Sequence, residues 1–237
     1  MEAGASGKGV QEMVETIAYG LDAEQVDLGV GYASLTLTIQ RCGVFITRMR
    51  RVGHIGVNER MAGELWKLAR RVSRGNQTIE QTRLRLERLS LGGVRHAPPV
   101  VAIAMGLACA AFGRLLGLDW RGAVPVFIAA TIGQYLRHEL LKRKMNVFVC
   151  ATIVSSLSSF LSDLGAHWIG SLTYATAMIS PVLLLVPGVP AINAQTDIID
   201  GRPSLGIARA VTVIMILVFI ALGLWFGQMP LDHWHLP

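Results

Sequence analysis

From Pro98 onward the chain is written mostly in Ala, Val, Ile, Leu, Gly and Phe, in runs long enough to cross a lipid bilayer. A helix needs roughly 20 apolar residues to traverse about 30 Å of hydrocarbon. Five stretches meet or approach that length: about 98–117, 121–139, 146–164, 168–187 and 207–228. A composition of 52% hydrophobic and 16% charged residues, with a mean hydropathy of +0.47, is too apolar for an aqueous domain. Most of the charge lies before Arg95. The expected fold class is a small cytoplasmic α+β domain, residues 1–95, followed by an all-α membrane bundle of five transmembrane helices, residues 96–237. The second stretch is the shortest, because Arg137 must sit at headgroup level or snorkel to it.

Orientation follows from the basic side chains in short loops. Arg83, Arg85, Arg88, Arg95, Arg137, Lys142, Arg143, Lys144, Arg202 and Arg209 fall on one side, against Arg114 and Arg121 on the other. Positive loops stay inside, so the amino terminus is expected in the cytoplasm and the carboxyl terminus outside. The first twenty residues carry Glu2, Glu12 and Glu15 and lack the apolar core of a secretory signal. The net charge of +6 is explained by these loops, so no nucleic-acid partner is expected. Cys42, Cys109 and Cys150 have no metal-ligand spacing and read as free thiols.

In the polar part, 26-VDLGVGYASLTLTIQRCGVFITRMR-50 alternates with the period of a strand. Val26, Leu28, Val30 and Tyr32 share one parity, and Leu35, Leu37 and Ile39 the other, so a turn or bulge belongs near Ala33-Ser34. Arg41-Cys42-Gly43 reads as a second turn. Helices are expected at 10–20, from Asn58 to about Arg74, and at 79–90, the last opened by a Thr78–Gln81 capping box.

Several patterns fail as chemistry. Gly29 and Gly31 lack the helix that a dinucleotide fingerprint requires next. Asp232, His233 and His235 form too small a set for a metal, and Trp234 beside them suits an interfacial belt. No nucleophile–base pair is visible, so no enzyme, cofactor or metal is expected. Ser155, Ser156, Ser158 and Ser159 fall in one apolar stretch, where hydroxyls usually bond to backbone. Ser155 and Ser159 remain possible linings of a polar conduit.

The strongest candidate is 181-PVLLLVPGVPAINAQTDIIDG-201. Pro187 and Pro190 each lack a backbone donor and Gly188 admits unusual dihedrals, so a regular helix cannot run through them. Freed carbonyls in a membrane must be met by protein or water. Asn193, Asp197 and Asp200 then follow at intervals of four and three, which places them on one polar stripe of a helix. A carboxylate at membrane depth costs a few kcal/mol unless it faces water, a partner or a substrate path. The bland alternative is a span ending at Val186 followed by an ordinary loop.

Together, a soluble α+β domain, a basic helix leading into Pro98-Pro99, and LLLVPGVPAINAQTDIIDG after the fourth span resemble the threonine/serine exporter family. Gly56-Val57-Asn58 and a last span entered through Ala208-Arg209 add to the likeness, which extends from about Val10 to Gly227. The resemblance implies export of small polar metabolites, threonine and serine in some members and succinate in two-component relatives. Full-length members have about ten spans. A chain with five is similar to the split form, in which a second small integral membrane subunit supplies the rest. The resemblance thus implies a multi-pass protein of the bacterial cytoplasmic (inner) membrane that works with lipid, a small polar substrate and a membrane partner. A membrane-anchored regulatory or assembly protein is the alternative.

Overall fold

The computed structural model describes residues 1–53, 56–90 and 96–232, apart from the side chains of 184 and 230–232. Gly92, Gly93, Arg95, His233, Trp234 and His235, and the side chain of Asp232, therefore lie outside the description. The chain divides into two compact units, each made of two separate stretches: Met1–Arg95 with Gly188–Thr212, and His96–Pro187 with Val213–Pro237.

In the first unit, helix α1 (Gly7–Tyr19) opens on Ser6, whose hydroxyl accepts from the Gly9 amide at 3.2 Å. Its apolar side chains Val10, Met13 and Ala18 are buried, as are Leu68, Ala69 and Val72 of helix α2 (Glu59–Ser73), against which α1 packs. A side chain at Gly20 would meet Val72 at 2.9 Å, so glycine is what lets the two helices close up there. Three antiparallel strands follow α1: β1 (Gln25–Val30), β2 (Ser34–Arg41) and β3 (Val44–Arg51). The parity change near Ala33-Ser34 is a tight turn closed by Gly31 N–H to Ser34 O at 2.9 Å. The turn between β2 and β3 uses positive φ at both Cys42 and Gly43, the backbone hand that fits a two-residue hairpin. Asn58 caps α2 through the Met61 amide at 3.0 Å. Helix α3 (Ile79–Ser90) starts at a reciprocal capping box, Thr78 N–H to Gln81 Oε1 and Gln81 N–H to Thr78 Oγ1, each 3.3 Å.

The second unit contains helices α4 (Pro98–Leu115), α5 (Trp120–Lys142) and α6 (Val147–Ile169), the short α7 (Tyr174–Ile179), which runs into a 3-10 turn over Ser180–Leu185, and the later part of α9 (Pro203–Asp232). Its core gathers Cys109, Leu118, Val126, Ala130, Ala166 and Ala177. Glycine sets its closest approaches: a methyl at Gly106 would overlap Thr131, one at Gly133 would overlap Ser158, and one at Gly223 would overlap Ser155. Backbones this close are how helices pack without a hydrophobic driving force between them.

The expected fold class is corrected in two respects. First, five membrane spans are not found. Among the described residues three helices are long and apolar enough to cross a bilayer: Pro98–Leu115, Val147–Ile169 and Pro203–Met229. The count rises to four only if Tyr174–Leu183 and Gly188–Ile199 are taken as one interrupted span. The stretch 121–139 does form a long helix, but Gln134, Tyr135, Arg137, His138 and Glu139 dilute its apolar character. The stretch 168–187 is divided, because Gly170 ends α6 in a left-handed turn (φ 68) and Pro181 follows α7. Second, the sheet and its helices do not form a separate domain ahead of the membrane part. Helix α8 (Gly188–Ile199) and the first turns of α9 belong to the same compact unit as α1, and burial of their polar residues depends on it.

Candidate functional site

The site is built on α8 and its junction with α9. Val186 is extended (φ −62, ψ 124), and α8 begins at Gly188. Pro190 thus stands in the first turn of a helix, where its missing N–H would have had no partner anyway. Gly188 has an ordinary negative φ, with open space where a Cβ would be, so the break does not use its freedom. The interruption falls at Val186 and Pro187, and the helix that follows runs through Gly188 and Pro190, contrary to the expectation from sequence. At the other end Gly201 takes φ 76, its amide bonding to Ile198 O at 3.2 Å, while the Arg202 amide bonds to Asp197 O at 2.8 Å. This left-handed close ends α8 and leads into Pro203 at the head of α9.

The spacing of Asn193, Asp197 and Asp200 does place them together, and all three face the amino-terminal segment. Asn193 Nδ2 donates to Gly4 O at 2.7 Å. Asp200 lies 3.9 Å from Lys8 Nζ. Asp197 is fully buried, and its Oδ1 accepts from the Gly7 amide at 2.7 Å, which sets a carboxylate against the positive end of α1. Its Oδ2 stands 2.7 Å from Arg209 Nη1, a contact off the N–H direction and so an ion pair rather than an aligned hydrogen bond. Arg209 is itself buried and gives Nη2 to Ala5 O at 3.2 Å and to the Met1 sulfur at 3.1 Å. Arg202 adds a short hydrogen bond to Gln11. Space is tight: a side chain at Gly7 would meet Leu205 at 2.8 Å and Asp197 at 2.9 Å.

An isolated buried carboxylate or guanidinium is costly, whereas a pair with further hydrogen bonds is tolerated. The arrangement holds opposite charges inside a unit whose helices flank a break. Sequence reasoning used Arg209 to orient the chain and to mark the entry of the last span, gave it no part in the site, and missed the amino-terminal segment altogether. The signal for Arg209 was present, as a lone guanidinium nearly two turns inside a long apolar helix. Nothing in Gly4, Ala5 or Gly7 announces a role.

The serine candidates lie in the second unit. Ser155 and Ser159 on α6 are fully buried, as are Ser158 and Ser162. Ser155 Oγ donates to Thr152 O at 3.1 Å and Ser162 Oγ to Ala177 O at 2.7 Å, but the Ser158 and Ser159 hydroxyls have no hydrogen-bond partner among the described residues. Ser158, rather than Ser155 or Ser159, lines a small pocket with Gly133, Gln134, Cys109 and Pro181. One helical turn beyond Ser159, Asp163 is buried beside His167, with Nδ1 3.2 Å from its carboxylate and the imidazole 4.7 Å from the Tyr174 ring. Among the described residues no group of His, Cys, Asp and Glu side chains is arranged to hold a metal.

Long apolar helices with charged and hydroxyl groups folded inside them define a membrane protein. The chain belongs to the family described as "Putative threonine/serine exporter", whose profile matches residues 1–229. Among curated proteins it is similar to the "Probable succinate transporter subunit YjjP" of Klebsiella aerogenes, 27% identical over 95% of this chain and 89% of the relative. It is also similar to the protein of the same description from Escherichia coli K12, 28% identical over 95% of this chain and 90% of that one. No solved structure matches it significantly.

Proposed function

We infer that this chain is one subunit of a secondary exporter that carries small polar metabolites, threonine and serine or a dicarboxylate such as succinate, out of a bacterial cell. It acts as a transporter and not as an enzyme, in the cytoplasmic membrane, with the amino terminus inside, the carboxyl terminus outside, and a second small membrane subunit completing the path. Family membership and the names of the two relatives support the class. The observation that carries the site is the buried pair of Asp197, on the helix that follows the break at Pro187, and Arg209, on the helix after it. Broken helices with polar groups at the break are a recurring way to build a transport site. Pro187, Gly188, Pro190, Asn193, Asp197 and Asp200 form that site in this reading, and Ser155 and Ser159 line a polar passage elsewhere in the bundle.

Efflux of labelled threonine, serine and succinate is the test, from cells with this chain, with the partner, with both and with neither. Export is expected only with both. Replacing Pro187 and Pro190 with Ala should lower it at least tenfold at matched membrane levels, which corresponds to about 1.4 kcal/mol at the barrier. Full transport by the purified single chain in liposomes would remove the two-subunit assignment, and no efflux from any combination would remove the exporter.

A further inference from the structure

We propose that Arg209 is a carboxylate-binding residue of the export path, and that the amino-terminal segment occupies its guanidinium when no substrate is bound. The inference rests on the exporter reading and names the chemistry its substrates must share.

The guanidinium is only 4% exposed, yet few of its donors are properly answered. Among the described residues Nε has no acceptor, and Nη1 is close to Asp197 without alignment. Nη2 is met by neutral acceptors alone, the Ala5 carbonyl at 3.2 Å and the Met1 thioether at 3.1 Å. Buried polar groups almost always have partners, and a purely structural arginine this deep would be expected to have its fork filled. Nε and Nη2 form one edge of that fork, with the spacing of the two oxygens of a carboxylate. A carboxylate there would answer Nε and replace two weak neutral contacts with charge-assisted hydrogen bonds. Asp197 does not do this itself, because its Oδ2 approaches the guanidinium at Nη1, off the Nε–Nη2 edge, while its Oδ1 accepts from the Gly7 amide. Threonine, serine and succinate differ in charge and length, but each carries a carboxylate.

Substrate binding therefore displaces Ala5 and the residues around it from Arg209. Two measurements on the full chain in lipid nanodiscs test this, with succinate, L-threonine and neutral succinamide as probes. In a chain whose Cys42, Cys109 and Cys150 are replaced by Ser, an Ala5→Cys variant should react with a maleimide at least threefold faster at saturating succinate or threonine. Succinamide should leave the rate unchanged. Calorimetry should show carboxylate binding to the native chain that weakens at least tenfold in Arg209→Lys, which keeps the charge and loses the fork. If that variant does not fold, the Ala5→Cys labelling alone decides. An equal response to succinamide, labelling indifferent to both carboxylates, or no binding of either carboxylate by the native chain would overturn the proposal. So would Arg209→Lys export with unchanged KM, which leaves the exporter reading intact. Carboxylate binding lost in Arg209→Lys, in a system that exports nothing, would uphold the site while the exporter reading fails.

Discussion

The two compact units bury polar groups by opposite means. Around α8 the buried groups are charged: Asp197 and Arg209 hold each other, and the amino terminus of α1 and the Ala5 carbonyl take up what the pair leaves open. Along α6 from Ser155 to Ser162 they are neutral hydroxyls, two of them pressed on glycine, and the one buried carboxyl of that helix, Asp163, comes only beyond them beside His167. Ser155 lies where a Gly223 methyl would be and Ser158 where a Gly133 methyl would be, and the Ser158 and Ser159 hydroxyls have no hydrogen-bond partner among the described residues. The energetics differ accordingly. A charged pair is worth little net against a hydrophobic replacement, but losing one member strands the other. An unpartnered buried hydroxyl costs about 1–3 kcal/mol, and removing it frees the glycine opposite.

The largest effect should come from breaking the pair singly. Asp197→Asn leaves Arg209 buried without a counter-charge and should cost about 3–5 kcal/mol in unfolding experiments in detergent. The double replacement Asp197→Leu with Arg209→Met should recover most of that loss. A single-site cost below about 1 kcal/mol would show that the pair is solvated and that the comparison fails on its charged side.

Glycine substitutions probe the neutral side. Gly133→Ala and Gly223→Ala should each cost about 1–3 kcal/mol through overpacking. They should respond differently to a second change. Ser158→Ala should restore most of the Gly133→Ala loss, because the overlapping atom is the serine hydroxyl. Ser155→Ala should not restore Gly223→Ala, since the Thr152 carbonyl also lies 2.5 Å from the added methyl and backbone cannot step aside. Equal rescue of both would mean that only side chains set the helix spacing.

The smallest effect is at Asp119, which caps α5. A hydrogen bond from the Ser171 hydroxyl, helped by the Gly122 and Leu172 amides, holds its carboxyl below the ordinary value of 3.8. A depressed carboxyl contributes stability above its unfolded value and loses it as pH falls through the folded one. Unfolding temperature should therefore decline on an acid limb below about pH 4, by a small amount because the group is partly exposed. Asp119→Asn should flatten that limb, and an unaltered limb would assign the acid sensitivity to other groups.

Much of the local structure was legible before any coordinates. The parity change at Ala33-Ser34, the turn at Cys42-Gly43 and the Thr78–Gln81 box follow from neighbours in the chain, and short-range sterics and hydrogen bonds decide such features. The span count was less legible. Length and hydropathy propose a span, but whether Pro181 and Gly170 divide a stretch depends on how the helices on either side are held. The polar stripe stood between. Its spacing put Asn193, Asp197 and Asp200 on one face, yet that spacing is silent about what the face meets.

The sequence by itself determined that this chain enters a membrane, that the helical path is interrupted at Pro187, and that three polar side chains follow on one side. Hydrophobic run length, a missing backbone donor and the 3.6-residue period are properties of the covalent chain. Tertiary structure alone decided that Asp197 meets Arg209 and the Gly7 amide, that Ala5 lies on the guanidinium, and that serines of α6 press on glycines far away in sequence. Those contacts join residues up to 204 positions apart. No local periodicity encodes them, because they arise only when the whole chain balances the cost of burying charge against the groups folding brings beside it.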